Sequence, residues 1–113
     1  MLWINSLNMK AGRDTEFKKW YAKNKKDLAK YVPKGTKFIG IFGATMGLGK
    51  HYLTQIYEFN EFADFDRARK YTHPIADRLN EEFMDFVLPG NYETMVLREA
   101  DDLMTIEPRK PKV

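Results

Sequence analysis

The stretch from Lys37 to Asn60 constrains the fold more than any other part of the chain. It holds two extended runs, residues 37–46 (KFIGIFGATM) and 51–60 (HYLTQIYEFN). β-Branched and aromatic residues fill both runs, and Gly47-Leu48-Gly49-Lys50 joins them, which is the signature of a β-hairpin. A helical pattern flanks the hairpin on each side, and one further strand-like run lies towards each end of the chain. The resulting order, β-α-β-β-α-β, sets a shape and through it a pocket. It does not set a reaction.

The 113 residues are enough for one domain with one core, and 43% of them are hydrophobic, so a packed interior is affordable. Residues 1–106 read as that domain and 107–113 as a mobile basic tail. No apolar run approaches the roughly 20 residues that span a bilayer. The start, Met1-Leu-Trp-Ile-Asn5, enters strand-like sequence without a basic leader, so neither a signal peptide nor a membrane partner is expected and a cytoplasmic location fits. With no cysteine, disulfides, thiolate catalysis and Cys-ligated metals are excluded. A net charge of +3 is too mild to argue for nucleic acid. The positive charge is local, in Lys18, Lys19, Lys23, Lys25, Lys26 and Lys30 and in Arg109, Lys110 and Lys112. A solvated helix face explains the first group, and a polyanion-binding face is the competing reading.

In chain order, residues 2–9 read as strand one and Lys10 to Arg13 as a turn. Asp14 is the expected N-cap of helix one, which should run to about Tyr31 with Phe17, Trp20, Tyr21, Leu28 and Tyr31 or Val32 as its buried stripe. Pro33 and Gly35 stop it. Gly40 and Gly43 inside strand two mark a bulge or a close approach. Asn60 is the expected cap of helix two, which reaches Tyr71. His73-Pro74 then breaks the helix, and a second segment runs from Pro74 to about Phe86. Residues 92–99 form strand four. A turn at Asp101 and Asp102 and an apolar run, Leu103 to Ile106, follow; the run is apolar enough to dock on a partner subunit.

Several motifs fail as chemistry. A phosphate loop needs four residues between its first Gly and the Gly-Lys pair, whereas five separate Gly43 from Gly49; it also needs a helix next, where this chain has a strand. His51 and His73 form no close ligand pair, so no metal is expected. His51 starts a strand beside a turn and should be exposed. His73 ends one helical piece, and is also a candidate acid or base because His titrates near neutrality. Ser6, the single serine, lies mid-strand and not on a nucleophile turn.

One strand face holds more. If strands one and three pair, Trp3, Asn5 and Leu7 join His51, Leu53, Gln55, Tyr57 and Phe59 at odd positions. Apolar walls with a few polar groups describe a small-molecule pocket, and the same mixture describes a wet dimer interface. A bulge near Gly43 would shift the neighbouring strand, so parity alone does not fix which face lines the pocket.

The order implies an α+β, ferredoxin-like βαββαβ sandwich, with an antiparallel four-stranded sheet and helices on one face. The bare face needs a cover, and a second copy is the economical one, so a homodimer closing into an α/β barrel around a chamber is expected. The residues also resemble a known group. Leu2 to Gly12, ending in Met-Lys-Ala-Gly, resembles the first strand and turn of dimeric α/β-barrel proteins. Residues 52–65 resemble their third strand leading into helix two, and residues 71–74 the break in that helix. The resemblance covers about residues 2–98 and is nearest to the NIPSNAP-like and antibiotic-biosynthesis-monooxygenase-like branches. It implies membership beside cofactor-free quinone-forming monooxygenases, haem-degrading enzymes, lactone isomerases and proteins without an assigned role. In the haem-degrading branch an Asn on strand one, a Trp late in strand three and a His on helix two form the site. Asn5 falls at the Asn position, Phe59 stands where the Trp would be, and His73 comes too early, so this chain departs from haem degradation.

These readings yield a homodimeric small-molecule-binding protein with no cofactor, monooxygenase-like towards a small aromatic or polyketide-like substrate. Asn5 would orient a substrate oxygen, Tyr57 would donate a hydrogen bond, and His73 is the lower-ranked acid or base. Trp3, Leu7, Gln55 and Phe59 would contact the substrate. A non-catalytic binding or stress-associated domain of the same fold is the alternative. A closed apolar cavity above about 300 Å³ holding Asn5 and Tyr57 favours the first.

Overall fold

The computed structural model describes residues 1–46, 51–90 and 92–100. The elements follow the expected order: β1 (Leu2–Leu7), α1 (Asp14–Lys30), β2 (Thr36–Gly43), β3 (Leu53–Phe59), α2 (Phe62–Lys70), α3 (Pro74–Phe86) and β4 (Glu93–Leu97). The four strands form one sheet in the order β2-β3-β1-β4, and every neighbouring pair is antiparallel. This is the ferredoxin-like arrangement. The expected connector Gly47–Lys50, the Asp101–Asp102 turn, the apolar run Leu103–Ile106 and the basic tail lie outside the described residues.

The sheet has two unlike faces because successive side chains alternate. Leu7, Phe38, Ile41 and Leu53 point to the helices and join Phe17 of α1 and Phe83 and Phe86 of α3 in the core. Phe17 anchors this core: its ring lies 5.9 Å from Trp20, 6.1 Å from Tyr21 and 5.5 Å from Phe86. The helical spacing of Phe17, Trp20 and Tyr21 creates that cluster, and the lysines at 18, 19, 23, 25, 26 and 30 remain exposed on the other side of α1. On the opposite sheet face Leu2 pairs with Leu97 and Ile4 with Met95 and Ile56. Phe42 (50% exposed), Met95 (51%) and Leu97 (41%) form exposed apolar area on that face, which also carries Ser6, Thr54, Glu58 and Glu93 and is uncovered by any described element.

Local details differ from the sequence reading where distant partners intervene. The N-cap of α1 is Arg13, not Asp14. Arg13 is drawn there by Asp85 at the end of α3, whose carboxylate and backbone carbonyl each accept from its guanidinium at 2.9 Å. The N-cap of α2 is Glu61, not Asn60. Asp64, one turn in, accepts from the backbone N–H groups of Glu61 (3.0 Å) and Asn60 (3.3 Å) and also bonds Arg67, so the acid sits inside the helix rather than before it. The register shift in β2 falls between Phe38 and Gly40, not near Gly43, which pairs regularly with Leu53. Gly40 is where close approach demands glycine: with φ at 157°, a Cβ there would meet the Phe42 ring at 3.2 Å and the Tyr21 hydroxyl at 3.3 Å. That hydroxyl accepts from the Ile41 N–H at 3.1 Å and ties α1 to the irregular strand. His51 is not exposed; 12% of its side chain is accessible, and Glu93 stands 3.9 Å from its Nδ1.

Candidate functional site

The odd-numbered residues of β1 and β3 do share a face, as their alternation requires. Trp3 pairs with Tyr57, Asn5 with Gln55 and Leu7 with Leu53. That face is the one the helices cover, so any pocket built on it lies within one chain, between sheet and helices, and not in a chamber between two sheets.

Such a cavity exists, with a volume of about 270 Å³. This is just below the roughly 300 Å³ at which typical ligand pockets begin. Gln55 and Tyr57 contribute the sheet wall; Leu28, Tyr31 and Val32 at the end of α1 form a second. Arg69 and Tyr71 close the α2 side, and Ala76, Asp77, Leu79, Asn80 and Phe83 the α3 side. The buried Leu79 and Phe83 mark its inner end, and the exposed Arg69, Asp77 and Asn80 its rim. The helix break between Lys70 and Pro74 makes this room: it ends α2 before it would run across the sheet and lets α3 start on a new axis.

A line of polar groups crosses the sheet behind the cavity. Thr94 donates its hydroxyl to Asn5 Oδ1 at 3.0 Å, Asn5 donates Nδ2–H to Gln55 Oε1 at 3.1 Å, and Gln55 donates Nε2–H to the Tyr57 hydroxyl oxygen at 3.1 Å. Asn5, only 3% exposed, is tolerated in the interior because both ends of its amide are bonded. Gln55 approaches the Tyr57 oxygen as a donor, which leaves the phenolic proton free for another acceptor. Burial, and secondarily the nearby Tyr92, pushes the Tyr57 phenol up to about 12. Tyr57 is therefore a neutral hydrogen-bonding group at physiological pH and not a base.

The structure brings together only part of the residue set expected from sequence. Gln55 and Tyr57 line the cavity. Asn5 does not reach it; it stands behind Gln55 and holds that amide. Trp3 buttresses Tyr57 from the far side at 5.3 Å and meets Phe65 edge-on at 5.0 Å. Leu7 and Phe59, each 1% exposed, are core residues, the latter's ring tilted against Phe65 at 5.4 Å. His73 is the N-cap of α3, its Nδ1 accepting from the Ile75 N–H at 3.1 Å. Its ring packs 4.7 Å from Tyr31 and 6.5 Å from Tyr71, so it props two cavity walls without lining the cavity. Sequence reasoning missed Arg69, Tyr71, Asp77 and Asn80. The available signal was the helix break itself, because a bend over a sheet leaves space beside it. Among the described residues, no cluster of three His, Cys, Asp or Glu could hold a metal ion, and no helix is long and apolar enough to cross a membrane.

No family model and no curated protein matches the chain. Solved structures do. A NIPSNAP family protein from Agrobacterium tumefaciens superposes with a TM-score of 0.69 at 12% identity, over 90% of this chain and 87% of that one. A dabb family protein with a ferredoxin-like fold from Mesorhizobium loti gives 0.58 at 16% identity, over 83% and 90%. An ethyl tert-butyl ether d (ethd) family protein from Bacillus halodurans gives 0.53 at 20% identity, over 88% and 98%. The NIPSNAP-like, ferredoxin-like resemblance read from the sequence is thus present in the fold.

Proposed function

We propose that this chain is a small-molecule-binding protein whose ligand is a compact ring compound carrying a hydrogen-bond acceptor, and that it acts as a homodimer. The observation that carries the reading is the Tyr57 hydroxyl. Tyr57 lines a cavity of mixed polar and apolar character, its hydroxyl stays protonated, and its oxygen is occupied by Gln55 so that its proton is available to a guest. Arg69 at the rim adds attraction for a guest with partial or full negative charge. The exposed Leu2, Phe42, Met95 and Leu97 on the bare sheet face favour a second copy of the same chain as its cover.

A hydrogen-bond donor fixed in a pocket stabilises negative charge developing on a ligand oxygen. Cofactor-free oxygenation of a phenol passes through such charge: one phenol and one dioxygen give one quinone and one water. The monooxygenase-like reading is therefore this same pocket put to work, and binding without turnover is its alternative. The Bacillus halodurans neighbour is named for an ethyl tert-butyl ether family, and a small ether is a compact guest with an accepting oxygen, which supports this reading.

The test is a nuclear magnetic resonance titration of the full chain with quinoline and with 1-naphthol, following the Tyr57 and Gln55 signals. Both signals should move, and Tyr57→Phe should weaken quinoline by roughly five- to tenfold, the value of one hydrogen bond. Absence of any shift at those residues overturns the reading. Oxygen uptake with 1-naphthol separates turnover from binding alone, and sedimentation at micromolar concentration decides the dimer.

A further inference from the structure

The hydrogen-bonded line behind the cavity has two self-consistent directions. A carboxamide is nearly symmetric in shape, and a half-turn exchanges its oxygen and nitrogen with little steric change. With both amides turned, Tyr57 donates to Gln55, Gln55 to Asn5 and Asn5 to Thr94, across the same separations of 3.1, 3.1 and 3.0 Å. Every bond survives, because a hydroxyl that can either donate or accept stands at each end. Turning only one amide sets two oxygens or two N–H groups against each other, so the line switches as a unit.

The two directions present different chemistry to the cavity. In one, the Tyr57 proton faces the guest. In the other that proton is committed to Gln55, and the guest meets only an oxygen lone pair. Asn5 is shielded at 3% exposure and Gln55 is half-buried against the cavity, whereas Thr94 is exposed on the edge strand β4 and does not line the cavity. We propose that Thr94 is a positioning residue that sets, through Asn5 and Gln55, whether the pocket selects hydrogen-bond-accepting or hydrogen-bond-donating ligands. This rests on the reading of the cavity as a ligand site.

An isosteric pair of variants tests it. Thr94→Asp places a carboxylate at the outer end, which at neutral pH only accepts, so Asn5 must donate to it and the whole line turns. Thr94→Asn has the same shape but keeps both capacities. The probes are quinoline, whose ring nitrogen only accepts, and indole, whose N–H only donates. Thr94→Asn should bind both as the wild type does. Thr94→Asp should weaken quinoline by roughly five- to tenfold, one lost hydrogen bond, while indole holds or gains. Equal weakening of both probes, or of neither, overturns the proposal. Failure of both probes to bind the wild type overturns the ligand-site reading instead. The ligand-free protein then decides the switch alone: the Tyr57 hydroxyl proton should exchange with water more slowly in Thr94→Asp than in Thr94→Asn, and equal exchange rates refute it.

Discussion

The bond between Asn5 and Gln55 is the best place to measure what the buried polar line costs. Asn5→Leu removes a donor and leaves Gln55 Oε1 without its 3.1 Å partner inside the protein. A buried acceptor stripped of its partner costs about 1–3 kcal/mol. Gln55→Leu strands Asn5 Nδ2 in the same way, again at about 1–3 kcal/mol. If the two sites were independent, the double variant would lose about 2–6 kcal/mol, the sum of the two. The structure argues otherwise. With both amides gone, the groups left over are Thr94, which is exposed, and the Tyr57 hydroxyl, which faces a cavity water can enter. Both can be hydrated, and two leucines on one face pack against each other. The double variant should lie within about 1 kcal/mol of the wild type, because replacing both partners with apolar groups is nearly neutral. Urea denaturation of the four proteins reads this directly. Each single change should also lower the melting temperature by roughly 4–12 °C on the size scaling for a domain of this length. A double variant whose loss equals the sum of the singles, to within about 0.5 kcal/mol, refutes the account of a shielded bond between hydratable ends.

Two further outcomes follow from the helix caps. His73→Ala should cost about 1 kcal/mol through loss of the cap on α3, and His73→Asn should restore the stability because it keeps a side-chain acceptor; if His73→Asn were as stable as the wild type yet bound quinoline much more weakly, His73 would belong to the pocket. Asp64 is held below the ordinary carboxylate range first by the N–H of Glu61 and then by Arg67. A depressed folded value means the charged form is favoured by folding, so this stabilisation is complete above the unfolded value of about 4 and is lost as pH falls through the lower folded value. Asp64→Asn should therefore flatten the acid limb of stability against pH below about pH 4, measured by thermal melts from pH 2 to 7; an unchanged limb would count against the capping role.

Much of the fold was legible because its signals are local. The two β-rich runs, the glycines between them and the His73-Pro74 break each act through backbone chemistry that needs no distant partner. Strand pairing was legible too, since period-two alternation puts Trp3, Asn5 and Leu7 on one side whatever the tertiary context. The identity of the covered side was not. Usually the polar residues of a half-buried sheet mark its wet face. Here the polar members Asn5, Gln55 and Tyr57 satisfy one another and lie beneath the helices, while Leu2, Ile4, Phe42 and Met95 face outward. Mutual satisfaction across strands is invisible in a linear pattern. The cap of α1 was misread for a related reason: Arg13 is fixed by Asp85, a contact 72 residues away.

Alternation also separates the two proposed roles of the sheet, and adjacent residues of β4 test that separation. Thr94 pairs with Asn5 on the helix side, and Met95 pairs with Ile4 on the bare side. One residue along the chain therefore moves a substitution from the pocket's polar line to the surface proposed to meet a second copy. Met95→Glu puts a charge into an apolar contact and should drive the protein to a monomer in sedimentation, with its preference between quinoline and indole unchanged. Thr94→Asp should reverse that preference and leave sedimentation unchanged. A monomeric Met95→Glu that also loses its quinoline preference would mean that the pocket is completed only when two sheets meet. The cavity between sheet and helices would then be half of a site rather than the whole of one.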